Sequence, residues 1–230
     1  SYEMEELKLT KEDLEINKPM VPMVSTYDAY MRKMTIGRER VLRQRTVELA
    51  GIKAGDSVLE VGCGTGSLTL TAKKQSGPNS KVFGIDVIPE MIEYSRQKAA
   101  QSNLDISFKL GTINDIPFPD NTFDVVMASF MIFHMSEDTR QKGIVEIYRV
   151  LKPKGRMLIV DLAMPSHPIQ EAIAKRVIFS GGLEHELGEL LPLMNRIGFS
   201  DLECAPVNFS ILGLSILAYI RGYANKSDSR

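Results

Sequence analysis

Tryptophan is absent from this chain, histidine occurs three times and cysteine twice. Two thiols as far apart in sequence as Cys63 and Cys204 supply neither a four-ligand zinc site nor a disulfide framework, so no metal and a reducing compartment are expected. A surplus of either charge is also missing: 28 Lys and Arg face 29 Asp and Glu. That balance gives no long-range attraction to polyanions, and no nucleic-acid partner is expected. Long apolar runs are lacking as well. The longest, FSILGLSILAYI at 209–220, falls short of the roughly 20 residues of a membrane-spanning helix, so no membrane span is expected. The opening residues SYEMEELKLTKEDLE are acidic and lack the basic flank and apolar centre of a secretion signal, which leaves cytoplasmic residence as the expectation.

What is present suits one α/β domain over residues 1–230: the chain is 43% apolar and 25% charged. Residues 1–24 are polar and then punctuated by proline, a composition that resists regular structure until a helix capped by Ser25 or Thr26. The apolar stripe of RERVLRQRTVEL, 38–49, predicts a helix ended by Gly51. Short aliphatic runs then alternate with helical patterns, as in successive βαβ units. Strands are expected at 57–61, 81–86, 106–110, 123–129 and 156–162, with helices at 67–75, 89–102 and 137–151 between them. Beyond Asp161 the pattern predicts a linker, helices at 169–180 and 184–199, and strands near 201–208 and 210–220. Strands joined so briefly pair antiparallel.

The stretch VLEVGCGTGSLTL, 58–70, carries the chemistry. Gly62, Gly64 and Gly66 follow an apolar strand that bears one acid, Glu60. A dinucleotide fingerprint spaces its third glycine one residue later, and an acid at the strand end repels a pyrophosphate. A cationic ligand without phosphate matches better, and S-adenosylmethionine has an ammonium and a sulfonium. Asp86 ends the second strand about twenty residues after the last glycine. It reads equally as a ribose hydrogen-bond acceptor, with Val87 and Ile88 against the adenine, and as an N-cap for the helix at 89.

LEVGCGTG and GIDVIPEMI resemble the first two motifs of class I S-adenosylmethionine-dependent methyltransferases, and NDIPFPDNTFDVVMASF and RVLKPKGRMLIVDL resemble the stretches around the fourth and fifth strands. YDAYMRKMTIGRERVLR, 27–43, with Tyr27, Asp28, Met34, Gly37, Arg40 and Arg43, and RVLKPKGRMLIVDLAMP, 149–165, are similar to the ubiquinone/menaquinone biosynthesis methyltransferases. The chain departs from them at Met31, Leu42 and VDLAMP. The resemblance implies a Rossmann-like, doubly wound, seven-stranded, mostly parallel sheet with an antiparallel C-terminal hairpin strand. For the cofactor S-adenosylmethionine it implies Glu60, Gly62, Cys63, Gly64 and Gly66 near the methionine and ribose, Asp86 on the ribose with Val87 adjoining, and the Ser129 carbonyl on the ammonium. Thr112 and Ile113 stand where many relatives place an aspartate and a small residue against adenine.

Transfer of a methyl group from a sulfonium is an in-line displacement that needs alignment and no metal. An acidic acceptor proton calls for a base, and His134 in SFMIFHM, at the carboxyl edge of the sheet, is the first candidate. His167 and His185 read as surface or helix-start residues. Tyr27 closes over the cofactor or packs in the core. Met20, Met23, Met31, Met34, Met127, Met131, Met135 and Met164 either line an apolar mouth or fill the core. Residues 1–40 and 163–185 are expected to roof the pocket of a small-molecule methyl acceptor, apolar or aromatic and quinone-like among the candidates. A binding protein without turnover, a nucleotide-dependent oxidoreductase, a protein or amine acceptor and a homodimer stay open at this stage.

Overall fold

A computed structural model describes residues 18–177 and 186–227. Runs rich in Val, Ile, Leu and Phe become strands β1 (Ser57–Val61), β2 (Lys81–Asp86), β3 (Ser107–Leu110), β4 (Phe123–Ser129) and β5 (Leu151–Leu162), followed by β6 (Phe199–Pro206) and β7 (Leu217–Ala224). They form one sheet in the order β3-β2-β1-β4-β5-β7-β6. Pairing is parallel from β3 across to β5, and β7 runs antiparallel to both β5 and β6. The chain order reverses between β1 and β4, which opens a crevice at the carboxyl edge of the sheet where ligands of such folds bind.

Helices α1 (Tyr27–Met34), α2 (Glu39–Ala50), α3 (Ser67–Ser76), α4 (Pro89–Gln101), α5 (Glu137–Val150), α6 (Pro168–Val177) and α7 (Leu191–Ile197) surround the sheet. Local chemistry sets their ends. Gly51 stops α2 in a left-handed conformation at φ 61° and donates its N–H to the Glu48 carbonyl, Pro89 opens α4 where its missing N–H costs no helical bond, and the Ser136 hydroxyl accepts the Thr139 N–H at 3.3 Å to cap α5. Successive residues of a strand face opposite sides of a sheet. Leu59 accordingly packs with Phe123, Ile144 and Ile147 on one face, whereas Val58 packs with Leu42, Met127 and Leu158 on the other. Both faces are covered, so the central strands read as nearly unbroken apolar runs. Among the described residues no helix is long and apolar enough to cross a membrane.

The structure departs from the sequence expectation after β4. β5 starts at Leu151, not 156, because the chain passes through Pro153 and Lys154 (φ 62°) within the strand and shifts its register against Phe123 and Val125. The last two strands are joined by residues 207–216, a far longer connection than expected. The greasy run that suggested a strand at 210 is a buried loop: Phe209, Leu214 and Ile216 sit in the same core cluster as Leu42 and Ala174, and a turn at Leu212 and Gly213 is closed by an Ile211–Leu214 bridge. Apolar runs report burial, and strand follows only when the period agrees. The helix expected over 184–199 splits into a 3-10 turn, Leu187–Leu190, and α7, since Pro192 is tolerated only in a first turn. The segment expected to be irregular before Ser25 forms a 3-10 helix over Lys18–Thr26. Residues 1–17, 178–185 and 228–230 lie outside the described residues, and with them the expected end of the helix at 169–180 and His185.

Gly66 shows how tightly the β1–α3 turn is packed. Its φ is +75°, and a Cβ there would lie 2.8 Å from Ser95 Cβ and 2.9 Å from Phe108 Cζ. Left-handed strain and overpacking each cost about 1–3 kcal/mol. Gly66→Ala is therefore expected to lower the unfolding free energy by at least about 2 kcal/mol in urea titration; an unchanged midpoint would refute the packing role.

Candidate functional site

The turn after β1 approaches its surroundings as bare backbone. Gly62, Gly64 and Gly66 all have positive φ, and a Cβ on Gly62 would stand 2.6 Å from Met131 Sδ. The turn is anchored to β2: the Cys63 N–H donates to the Ile85 carbonyl at 2.9 Å, and the Gly64 N–H donates to Asp86 Oδ2 at 2.8 Å. Asp86 Oδ1 accepts the Ile88 N–H at 3.0 Å. Ile88 itself occupies the N-cap position of α4, so Asp86 forms an Asx turn just before the helix and grips the glycine loop at the same time.

Glu60 is 2% exposed, and its Oε2 accepts the Thr69 hydroxyl from α3. Burial pushes its carboxyl up to about 8, nearby Asp86 adds to the rise, and the Thr69 bond opposes it. Burial also raises Asp86, against the N–H groups of Ile88, Gly64 and Val87. Two carboxyls thus share a poorly hydrated corner. The Cys63 thiol is pushed up by burial, then by Asp86 and Glu60, and stays protonated and inert.

Helix α1 is tied over this loop by Asp28. Its Oδ1 accepts the Thr65 hydroxyl at 2.8 Å and the Ser67 hydroxyl at 3.1 Å, Oδ2 meets Lys98 Nζ at 2.6 Å, and Arg43 approaches to 3.8 Å. Burial works against ionisation of Asp28, yet Lys98 and the two hydroxyls hold it below the usual carboxylate range. Tyr27, the first residue of α1, is pushed up to about 12 by burial and by the charges of Asp86 and Glu60. Its phenol keeps its proton.

Between α1, α2 and the glycine turn lies a cavity of about 70 Å³. Of the residues expected at the cofactor, Tyr27, Glu60, Gly62, Cys63, Gly64 and Ser129 line it. The others stand elsewhere. Gly66 is packed beneath the turn, Asp86 braces it, and Val87 adjoins the cluster of Val24, Ile88 and Met91. Thr112 is 2% exposed and its hydroxyl accepts the Asn114 N–H at 3.3 Å. Ile113 is core: its side chain abuts Gly143 of α5. His134 ends a short 3-10 turn, Ile132–His134, just beyond β4, while His167 is exposed. Among the methionines Met31 lines the cavity and Met127 is buried core.

Sequence reasoning overlooked Glu39. It is 6% exposed, lines the cavity, and its Oε2 is buried with no hydrogen-bond partner, while Oε1 lies 3.6 Å from Arg32 Nε. Glu39, Leu42, Arg43 and Thr46 all line the cavity, and their spacing of i, i+3, i+4, i+7 marks one face of α2. That mixed polar face was the available signal.

Glu60 carries a stability consequence. Its folded value near 8 exceeds the ordinary 4.5, so between these pH values the folded chain holds a proton the unfolded chain has lost, and stability falls as pH rises through that window. Glu60→Gln removes this penalty. Its melting temperature is expected to match that of the parent chain at pH 5 and exceed it by several degrees at pH 8, measured by calorimetry.

Comparison with known proteins follows the same direction. A family model described as a methyltransferase domain matches residues 58–155. A demethylmenaquinone methyltransferase of Symbiobacterium thermophilum is 37% identical over 145 residues, 62% of this chain and 57% of that protein, so the match spans less than two thirds of that relative. A ubiquinone/menaquinone biosynthesis C-methyltransferase of Pseudomonas paraeruginosa is 30% identical over 183 residues, 79% of this chain and 67% of that one. The fold is shared with an S-adenosylmethionine-dependent methyltransferase from Aquifex aeolicus, with a TM-score of 0.65 at 24% identity over 87% of this chain and 96% of that one. The sheet order, the acid-flanked glycine turn and these matches agree: the chain belongs to the class I S-adenosylmethionine-dependent methyltransferases, in the group of the ubiquinone/menaquinone biosynthesis enzymes.

Proposed function

We propose that the chain moves a methyl group from S-adenosylmethionine to a small apolar or aromatic acceptor, a quinol-type ring being the first to test. The observation that supports it is the charge pattern of the cavity. Glu60 of β1 lines it, and one face of α2 brings Glu39, with its unpartnered carboxyl oxygen, and Arg43 to the same cavity beside bare glycine backbone. A ligand with ammonium, sulfonium and carboxylate groups finds a counterpart for each sign and draws Glu60 into its ionised form, whereas a pyrophosphate gains nothing from either acid.

When bound, S-adenosylmethionine supplies a methyl carbon activated by its sulfonium. The chain supplies placement, worth up to about 7–11 kcal/mol in well-oriented systems. In this reading Glu60 and Glu39 offset positive charge, Arg43 holds the carboxylate, and Tyr27 donates through a phenol that does not ionise. Asp86 uses one lone pair of each oxygen on backbone N–H groups, which leaves capacity for ribose hydroxyls. His134, at the carboxyl edge beyond β4, takes the proton that a phenolic or ring-carbon acceptor gives up. The apolar acceptor is supported by Met31, Leu42, Leu68 and Phe130 on the cavity wall and by the names of the quinone-biosynthesis relatives.

Titration with S-adenosylhomocysteine and with NAD tests the charge argument directly: the first is expected to bind and the second not. Transfer of labelled methyl to demethylmenaquinol, set beside small amines and a protein acceptor, tests the acceptor class. Binding without any turnover across that panel would assign the chain to ligand binding alone. Binding of the cationic S-adenosylmethionine is also expected to discharge the proton that Glu60 holds below about 8. Affinity should then rise from pH 6 to pH 8, by up to tenfold per unit, with proton release seen by calorimetry in buffers of different ionisation enthalpy. No proton release at pH 7 would remove Glu60 from the role.

A further inference from the structure

Another cavity, of about 320 Å³, does not adjoin the glycine loop. It lies among the turn after β4, the first turns of α5, the end of β5, and the 187–197 helical segment. Its buried wall residues, Ile132, Leu187 and Leu190, belong to the core cluster of the face opposite Leu42 and Leu68, which line the smaller cavity. The Ile132–His134 turn supplies part of its wall, while the residues assigned to the cofactor lie outside it.

Arg140 gives this cavity its chemistry. The residue is only 7% exposed, and its Nε is buried with no hydrogen-bond partner. Leaving a buried charged donor unpaired is costly, and native proteins answer it with a ligand, an ion or a water. Asp161 lines the same cavity, and its Oδ2 accepts the Phe133 N–H at 3.0 Å and its Oδ1 the Leu162 N–H at 2.9 Å.

The remaining surroundings restrict what could pair with that guanidinium. Ile132, Leu187 and Leu190 are nearly fully buried and offer an apolar bed. Glu137, Glu186 and Glu189 stand exposed at the cavity, where their charge disfavours phosphate esters and other polyanions while a single negative charge is still matched by Arg140. The positive end of the fourteen-residue helix α5 lies alongside, since Glu137 and Arg140 belong to its first turns. A volume near 320 Å³ is at the small end of ligand pockets, enough for a ring-sized body.

We propose that this cavity is a second binding site, for a small apolar monocarboxylate whose carboxylate is held by the Arg140 guanidinium and whose body lies against Ile132, Leu187 and Leu190. Guanidinium–carboxylate pairing is charge-assisted, and a planar fork suits it better than an ammonium does.

Benzoate is a suitable probe, followed by calorimetry and by methyl-region NMR on the full chain. Saturable millimolar binding is expected, with benzamide at least tenfold weaker because it lacks the charge. Arg140→Met should reduce benzoate affinity at least tenfold and Arg140→Lys by less. Leu193→Trp keeps the charge and narrows the cavity from another wall, and it too should weaken binding, so the test survives if Arg140→Met fails to fold. Circular dichroism verifies each variant. Absence of saturable benzoate binding, equal binding of benzamide, or unchanged affinity in the folded variants would overturn the proposal and leave water as the partner of Arg140.

Discussion

Two carboxyl groups at the ends of adjacent strands, Glu60 on β1 and Asp86 on β2, set the terms for the rest of the molecule. Each is drawn out of water by the sheet, and each is satisfied locally, Glu60 by the Thr69 hydroxyl and Asp86 by the N–H groups of Gly64 and Ile88. Those bonds give the glycine turn its shape. They also leave acidic character at the mouth of the crevice, so the loop that elsewhere cradles phosphate is here biased towards a positively charged guest. Burying these two acids costs stability once they ionise.

The N-terminal helix depends on the same turn. Asp28 gathers Thr65, Ser67 and Lys98 from α3, its preceding loop and α4, so α1 is fastened to the elements that shape the loop. Exposed ion pairs contribute little, but this one is half-buried and shared among several hydrogen bonds, which is the geometry in which a charge network matters. The cavity therefore has a wall that is sequence-remote from the loop and mechanically coupled to it.

Much of this was legible in the residues. The first five strands follow from aliphatic runs separated by helical patterns, and the glycine spacing with Glu60 points to the crevice before any coordinates. The parts that were not legible share a cause. Phe209 to Ile216 looked like a strand because the run is apolar, yet Phe209, Leu214 and Ile216 are buried in a loop whose tip, Leu212, is exposed. For Ile113 the resemblance implies a place beside adenine, and its side chain packs against Gly143. Glu39 and Arg140 drew no notice because a single charged residue in a helix usually faces solvent, and only tertiary contact shows that these two do not.

The position of β7 has a consequence for how the chain comes together. It lies between β5 and β6, pairing Arg156 with Tyr223 on one side and Phe199 with Ala224 on the other. During synthesis from the ribosome, β6 emerges before β7 and has no neighbour to join. The β5 edge stays open until residues 217–224 arrive, so the sheet is completed by the insertion of a late hairpin partner, a further non-local event in a fold that already pairs β1 with β4 across more than sixty residues.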